Sequence, residues 1–307
     1  MNLKFCSPLT LLQAIVPALI FLALTGCQQS PTKIVTQHTR PQAGGFVKAN
    51  ASIDQSKITA DVLVVDVRPR LNYSLAHLEG SLHIDTDEFF ETKGKFKGYP
   101  KADTEAILRR LAQLGFSPAV PTLIIGEGKK GNGAEGRLAW LLKSLGVQKV
   151  EIVAFDGINN RKVINGDPSL NLTSKEVWAA SLDKSLFATK EDIKNFAAGV
   201  HIKKSQRVHL IDVRSEAEYF KKMGFGEGYE TPNLNAINIP WTEFIRDDGR
   251  INREILVRLK GVNIKPDDRI IVISSGGIRS SYVAFVLFEL GYKRVANAIG
   301  GLQEVML

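Results

Sequence analysis

Hydrophobic residues fall along this chain in short unbroken bursts rather than in alternation with polar ones. Residues 62–67 (VLVVDV), 122–126 (TLIIG), 150–155 (VEIVAF), 208–213 (VHLIDV) and 269–274 (RIIVIS) are such bursts. A strand that is apolar at nearly every position has both faces covered, as in a parallel sheet lying between helices. Between the bursts lie apolar-periodic segments of helical length. The clearest follows the last burst: residues 270–291, IIVISSGGIRSSYVAFVLFELG, read as strand, tight Ser/Gly loop and helix. Strands alternating with helices predict α/β units around a mainly parallel sheet.

The pattern occurs twice. Residues 62–73 match 208–219, so that Asp66, Arg68 and Tyr73 fall on Asp212, Arg214 and Tyr219, each displaced by 146 positions. Residues 80–84 (GSLHI) match 235–239 (NAINI) at a displacement of 155, so the second copy carries nine extra residues, around 224–228. The burst at 122–125 then matches 270–273. The repeat predicts a first domain at 56–170, a linker at 171–188 and a second domain at 189–307. Thr189 followed by Asp192 reads as the capped start of a helix opening the second copy.

The N-terminus departs from both copies. Lys4 precedes an apolar run from about Leu9 to Leu24, and Leu24-Thr-Gly-Cys27 follows at once. A positive segment, an apolar core and small residues before a cysteine predict a secretory signal over 1–26. Cys27 is then similar to the lipidated first residue of a bacterial lipoprotein. Residues 27–55, rich in Gln, Thr, Ser and Lys, predict a flexible tether. Gln28 and Gln29 follow the cysteine. By resemblance to Gram-negative sorting rules, the absence of Asp there favours the outer membrane, facing the periplasm.

Composition adds limits. The 307 residues are 44% hydrophobic and 23% charged, enough for two domains with a core. The net charge of +8 is spread along the chain; its densest cluster, Lys93-Gly-Lys95-Phe-Lys97, reads as a solvated loop. No zinc-finger spacing and no basic helix interleaved with aromatics is present, so nucleic acid is not an expected partner. No His cluster has metal-ligand spacing, and neither a metal nor a cofactor is expected. Cysteines number two, Cys6 and Cys27, so the part after the signal has no thiol nucleophile.

Two Asp-Val-Arg units at strand ends, each with Tyr five residues after the Arg, resemble the rhodanese family. So does Tyr73-Ser-Leu-Ala-His77-Leu-Glu-Gly80-Ser-Leu-His-Ile84, with Glu79 and Ser81 where that family usually has Pro and Ala. The second copy has lost the His and Gly of this motif. The resemblance is to the tandem thiosulfate and 3-mercaptopyruvate sulfurtransferases and spans about residues 53–307. It implies two rhodanese-like domains, with Asp66, Arg68, Tyr73, His77, Gly80, Asp212, Arg214 and Tyr219 as structural residues. It also implies a Cys-x4-Arg loop in the second domain, where a thiolate takes up sulfur and loop amides hold the anionic donor.

In this chain that loop is Ser274-Ser275-Gly276-Gly277-Ile278-Arg279, with Ser274 at the nucleophile position. A hydroxyl cannot form a persulfide, and a serine nucleophile needs a positioned base. The loop is therefore expected to have no catalytic residue but to hold a small oxyanion or a partner protein. Two alternatives stay open. One is sulfur transfer without a cysteine of its own. The other is dinucleotide binding at Gly126-Glu-Gly128-Lys-Lys-Gly131, which fits G-x-G-x-x-G between a strand and a helix. Under the tandem reading this second loop is the degenerate loop of the first domain, with the nucleophile position near residues 126–129 and Arg137 at the helix start.

Overall fold

The computed structural model describes residues 53–166, 174–200, 207–220, 232 and 234–306. The expected signal, Cys27, most of the expected tether, part of the linker and the extra residues of the second copy lie outside these.

In the first domain the strands are β1 (Ile53–Asp54), β2 (Leu63–Asp66), β3 (His77–Leu78), β4 (Leu82–His83), β5 (Thr122–Gly126), β6 (Val150–Ala154), β7 (Ile158–Asn159) and β8 (Val163–Ile164). Its helices are α1 (Arg70–Leu75), α2 (Thr104–Gln113) and α3 (Ala134–Ser144). The main sheet has the order β4-β2-β5-β6, with every pair parallel. The second domain has β9 (Phe187–Ala188), β10 (Val208–Asp212), β11 (Ile237–Asn238), β12 (Arg269–Ile273) and β13 (Arg294–Ala298). With them come α4 (Lys190–Ala197), α5 (Glu216–Tyr219), α6 (Ile255–Gly261), α7 (Ile278–Glu289) and α8 (Gly301–Met306). Its sheet runs β11-β10-β12-β13-β9, again all parallel. The architecture is the expected one: two α/β domains, each a parallel sheet flanked by helices.

The five apolar bursts all became strands, and the reason is visible in their burial. In β5 all five residues are buried, and in β12 four of five. Thr189 and Asp192 form the expected capping box, each side chain accepting from the other's backbone amide.

Two boundaries differ from the sequence expectation. Phe187 and Ala188, placed in the linker, form β9 on the edge of the second sheet by pairing with β13. Ile53 and Asp54, placed in the tether, form β1 beside β7. Both are two-residue strands, too short for any hydrophobic period to announce.

The two copies share one apolar core. Helices α3 and α7, each following its domain's loop, pack against each other so closely that a Cβ on Gly136 would overlap Tyr282. Trp140 from α3 and Phe285 and Phe288 from α7 belong to this core. Each large apolar side chain so buried contributes about 2 kcal/mol. Lys143 and Glu289 make a buried ion pair across the helices, 2.8 Å. A turn of the second domain also docks on the first: Ala154 N donates to Asp248 O, 3.1 Å.

Candidate functional site

The loop of the second domain leaves the central strand β12 and enters α7. Its entry is fixed by backbone. Leu302 N donates to Ser274 O at 2.9 Å and Gln303 N to Ser275 O at 3.0 Å. Its exit requires glycine. Gly277 caps α7 at φ 85°, and a Cβ there would overlap the Ile299 carbonyl oxygen. Asn297 supports the turn from behind by donating to Gly277 O (3.3 Å) and Ser281 Oγ (2.8 Å).

This geometry converges on Ser274. Its side chain is 1% exposed, and its Oγ accepts from Gly277 N (3.2 Å) and Ser280 N (3.3 Å), with Ser280 Oγ 3.1 Å away. Amides pointing at one buried atom stabilise negative charge there. For a hydroxyl, whose pKa lies far above neutrality, they hold it in place without ionising it. No histidine appears among the described partners of Ser274, so no base is positioned to take its proton. Among the described residues, the amides of Ser275, Gly276 and Ile278 meet no protein acceptor.

Arg279 is engaged by the protein itself. Its guanidinium forms a two-pronged pair with Glu218, NH1 to Oε2 at 2.7 Å and NH2 to Oε1 at 2.8 Å, and NH2 also reaches Ser275 Oγ at 2.9 Å. Glu218 receives in addition the amide and hydroxyl of Ser215, at 3.0 and 2.8 Å. Arg279 above all, and then Ser215, hold the Glu218 carboxyl at about 2, against the opposing effect of its partial burial. The sequence expectation placed Arg279 in the anion-binding loop but did not foresee this partner, 61 residues upstream.

The strand registers align the first domain's loop with the second's. Ile125 stands opposite Asp66 as Ile273 stands opposite Asp212. Val67 N donates to Ile125 O as Val213 N donates to Ile273 O, both at 2.9 Å. Gly126 is therefore the counterpart of Ser274. The helix caps correspond too: Gly133 at φ 88° and Gly277 at φ 85°. Between these fixed points six residues, Glu127 to Asn132, stand in place of Ser275 and Gly276. Counting on from the caps, Glu135 is the counterpart of Arg279, while Arg137 lies in the first turn of α3 as expected.

That register also corrects the dinucleotide alternative. A Cβ on Gly126 would overlap the Glu135 carboxyl group, and Gly128 N donates to Glu135 Oε1 at 3.1 Å. The glycine loop thus wraps a carboxylate of its own chain. A carboxyl group already fills the space beside Gly126 and takes the Gly128 amide, so the motif lacks the open amides a pyrophosphate needs. Burial, the largest cause, pushes the Glu135 carboxyl up to about 7.

The repeated motif residues lie behind the loops. Arg68 Nε donates to Asp66 Oδ1 (3.0 Å) and NH2 to Oδ2 (2.7 Å); Arg214 repeats this on Asp212 at 3.1 and 2.7 Å. All four are buried. Tyr73 OH donates to Ser81 O and Tyr219 OH to Ala236 O, tying the helix after each Asp-x-Arg unit to the next strand region. His77 Nδ1 donates to Tyr73 O, its ring stacked on that tyrosine at 3.9 Å. Gly80 turns at φ 81°. These contacts hold strands and connections together.

With this geometry established, the family follows from comparison. The rhodanese-like domain model matches the chain twice, at residues 49–157 and 198–306. The chain belongs to the rhodanese-like family. SseA of Escherichia coli, a 3-mercaptopyruvate sulfotransferase, is similar in fold at 19% identity and TM-score 0.60, covering 79% of this chain and 93% of its own. The 3-mercaptopyruvate sulfurtransferase of Leishmania major aligns at 16% identity and TM-score 0.61, covering 84% and 74%. The Tum1 protein of Saccharomyces cerevisiae aligns at 13% and 0.64, covering 84% and 95%. At these identities the likeness is one of tandem rhodanese architecture. No curated protein sequence matches the chain.

Proposed function

We propose that this rhodanese-like protein is a non-catalytic binding protein, exported and held at an envelope membrane by a lipid on Cys27, and that the loop 274–279 takes a small oxyanion. The observation that carries this is the seat of Ser274. Two backbone amides aim at its Oγ, as expected where a family member would keep a thiolate, yet the atom they hold is oxygen. Sulfur transfer through a persulfide needs sulfur at that atom, so the cysteine-independent alternative has no acceptor in this site. The amides of Ser275, Gly276 and Ile278, which meet no acceptor among the described residues, are the donors left for an anion.

Glu218 sets the affinity. It neutralises Arg279, so an anion meets the amides without a net positive charge beside them. Thiosulfate titrated into the full chain should bind weakly. Arg279→Ala, which leaves the Glu218 carboxylate uncompensated, should abolish binding, and Glu218→Gln should strengthen it about ten-fold, as expected for about 1.4 kcal/mol of relieved repulsion. Thiosulfate affinity insensitive to both changes would place the anion elsewhere.

A further inference from the structure

The first domain's loop encloses a cavity of about 250 Å³ that the oxyanion reading does not use. Residues 67–70 after β2, the turn at Asp85–Asp87, the two ends of the loop 126–132 and the first turn of α3 line it, and Ile278 of the second domain forms part of its wall. Glu135 lines it as well and is 1% exposed. Its carboxyl group takes the space that a side chain at Gly126 would fill. Gly128 N and the backbone amide of Glu135 itself donate to it. Removal from water makes the carboxylate costly to form and outweighs these two amides, which is why the group titrates near 7 rather than in the usual carboxylate range.

The charges around it are acidic on balance. Glu127, Asp85 and Asp87 share the lining with Glu135. Arg68 is committed to Asp66, and Arg137 donates to Asp87 at 2.9 Å. Arg70 reaches His83 Nδ1 at 3.4 Å, and His83 Nε2 donates to Arg68 O at 2.9 Å. From α7 the ionisable group facing Glu135 is Tyr282, whose hydroxyl is pushed up by burial and by Glu135 itself. An anion entering here would meet carboxylates. A cation would meet a buried carboxyl held by two backbone amides and no basic side chain.

We infer that this cavity is a binding site for a small ammonium compound, its charged nitrogen seated on the Glu135 carboxylate. The ammonium supplies the counter-charge that two backbone amides do not, and binding expels the proton that burial otherwise retains. Affinity therefore rises with pH through the range in which Glu135 ionises.

The test is isothermal titration of the full chain with 1,4-diaminobutane, with sulfate as the anionic control. The diamine is expected to bind at pH 8 and about ten-fold more weakly at pH 6, where the ionised fraction of a group titrating near 7 is about ten-fold lower. Glu135→Gln should lose at least ten-fold in affinity at pH 8 and lose the pH dependence. Gly126→Ala, which keeps the charge but displaces the carboxyl from its seat, should also weaken binding. Glu218→Gln, which alters only the second loop, should leave it unchanged. The inference is overturned if Glu135→Gln melts like the natural chain yet binds the diamine equally well. It is overturned equally if the Arg279→Ala chain, whose second loop no longer takes an oxyanion, binds sulfate in preference to the diamine, or if the natural chain gives no heat with the diamine at millimolar concentration.

Discussion

The two loops start from the same backbone frame and end with opposite charges at the same place. Each leaves a parallel strand beside a buried Asp-x-Arg pair and enters its helix through a left-handed glycine. In the second domain the seat after the strand holds a serine hydroxyl, and the helix-start position holds Arg279, turned onto Glu218. In the first domain the seat residue is Gly126, and the helix-start position supplies a carboxyl that fills the space. One frame therefore carries both the loop proposed to take an anion and the loop proposed to take a cation. The difference lies in a few side chains and in the longer loop between fixed ends.

The frame itself should be the most sensitive part. Asp212→Asn removes the buried carboxylate charge that Arg214 grips with two nitrogens and should cost about 3–5 kcal/mol of stability; Asp66→Asn should cost a similar amount. Thermal melting of both variants checks this, and a loss in one copy only would show that the frames are not equivalent. Next come the cap glycines, which separate the two loops. Gly277→Ala adds a Cβ against the Ile299 carbonyl oxygen as well as left-handed strain, and should cost about 3 kcal/mol. Gly133→Ala meets its nearest atoms, in Trp241 and Tyr282, at 3.4 Å, so it should cost only the conformational term of about 1–2 kcal/mol. Equal losses at the two positions would break the distinction.

The two loops also differ in pH dependence, where the effects have opposite signs. Glu218 is held at about 2, below the ordinary value of 4.5, so its contribution is present above about 4.5 and is lost as the pH falls toward 2. Glu135 is raised to about 7, so its protonated form favours the folded state. That contribution is full below about 4.5 and disappears as the pH rises through 7. Denaturant melts across pH should therefore lose their acid-side slope in Glu218→Gln and their slope between about 4.5 and 7 in Glu135→Gln.

The strands, the repeat and the seat of Ser274 were legible in the sequence because each is local. An unbroken apolar burst, a fixed displacement of 146 and a six-residue frame need no knowledge of partners. The chemistry around the loops was not local. Nothing near Arg279 announces Glu218, because contact is made only when α5 and α7 share the end of one sheet. Glu135 was hidden by the unequal loops: with six residues facing two, only the strand register and the cap glycines fix the alignment. The G-x-G-x-x-G match misled for the same reason, since it records glycines and not the carboxylate they enclose. The edge strands β1 and β9 were missed because two residues carry no period.

The central claim is that the second loop keeps the seat of a thiolate without the thiol. It is tested most directly by intact mass after exposure to thiosulfate, for the natural chain beside Ser274→Cys. The account predicts no mass gain for the natural chain and the gain of one sulfur atom by the variant. Sulfur taken up by the natural chain, or a Ser274→Cys variant that folds yet remains unmodified, would contradict it.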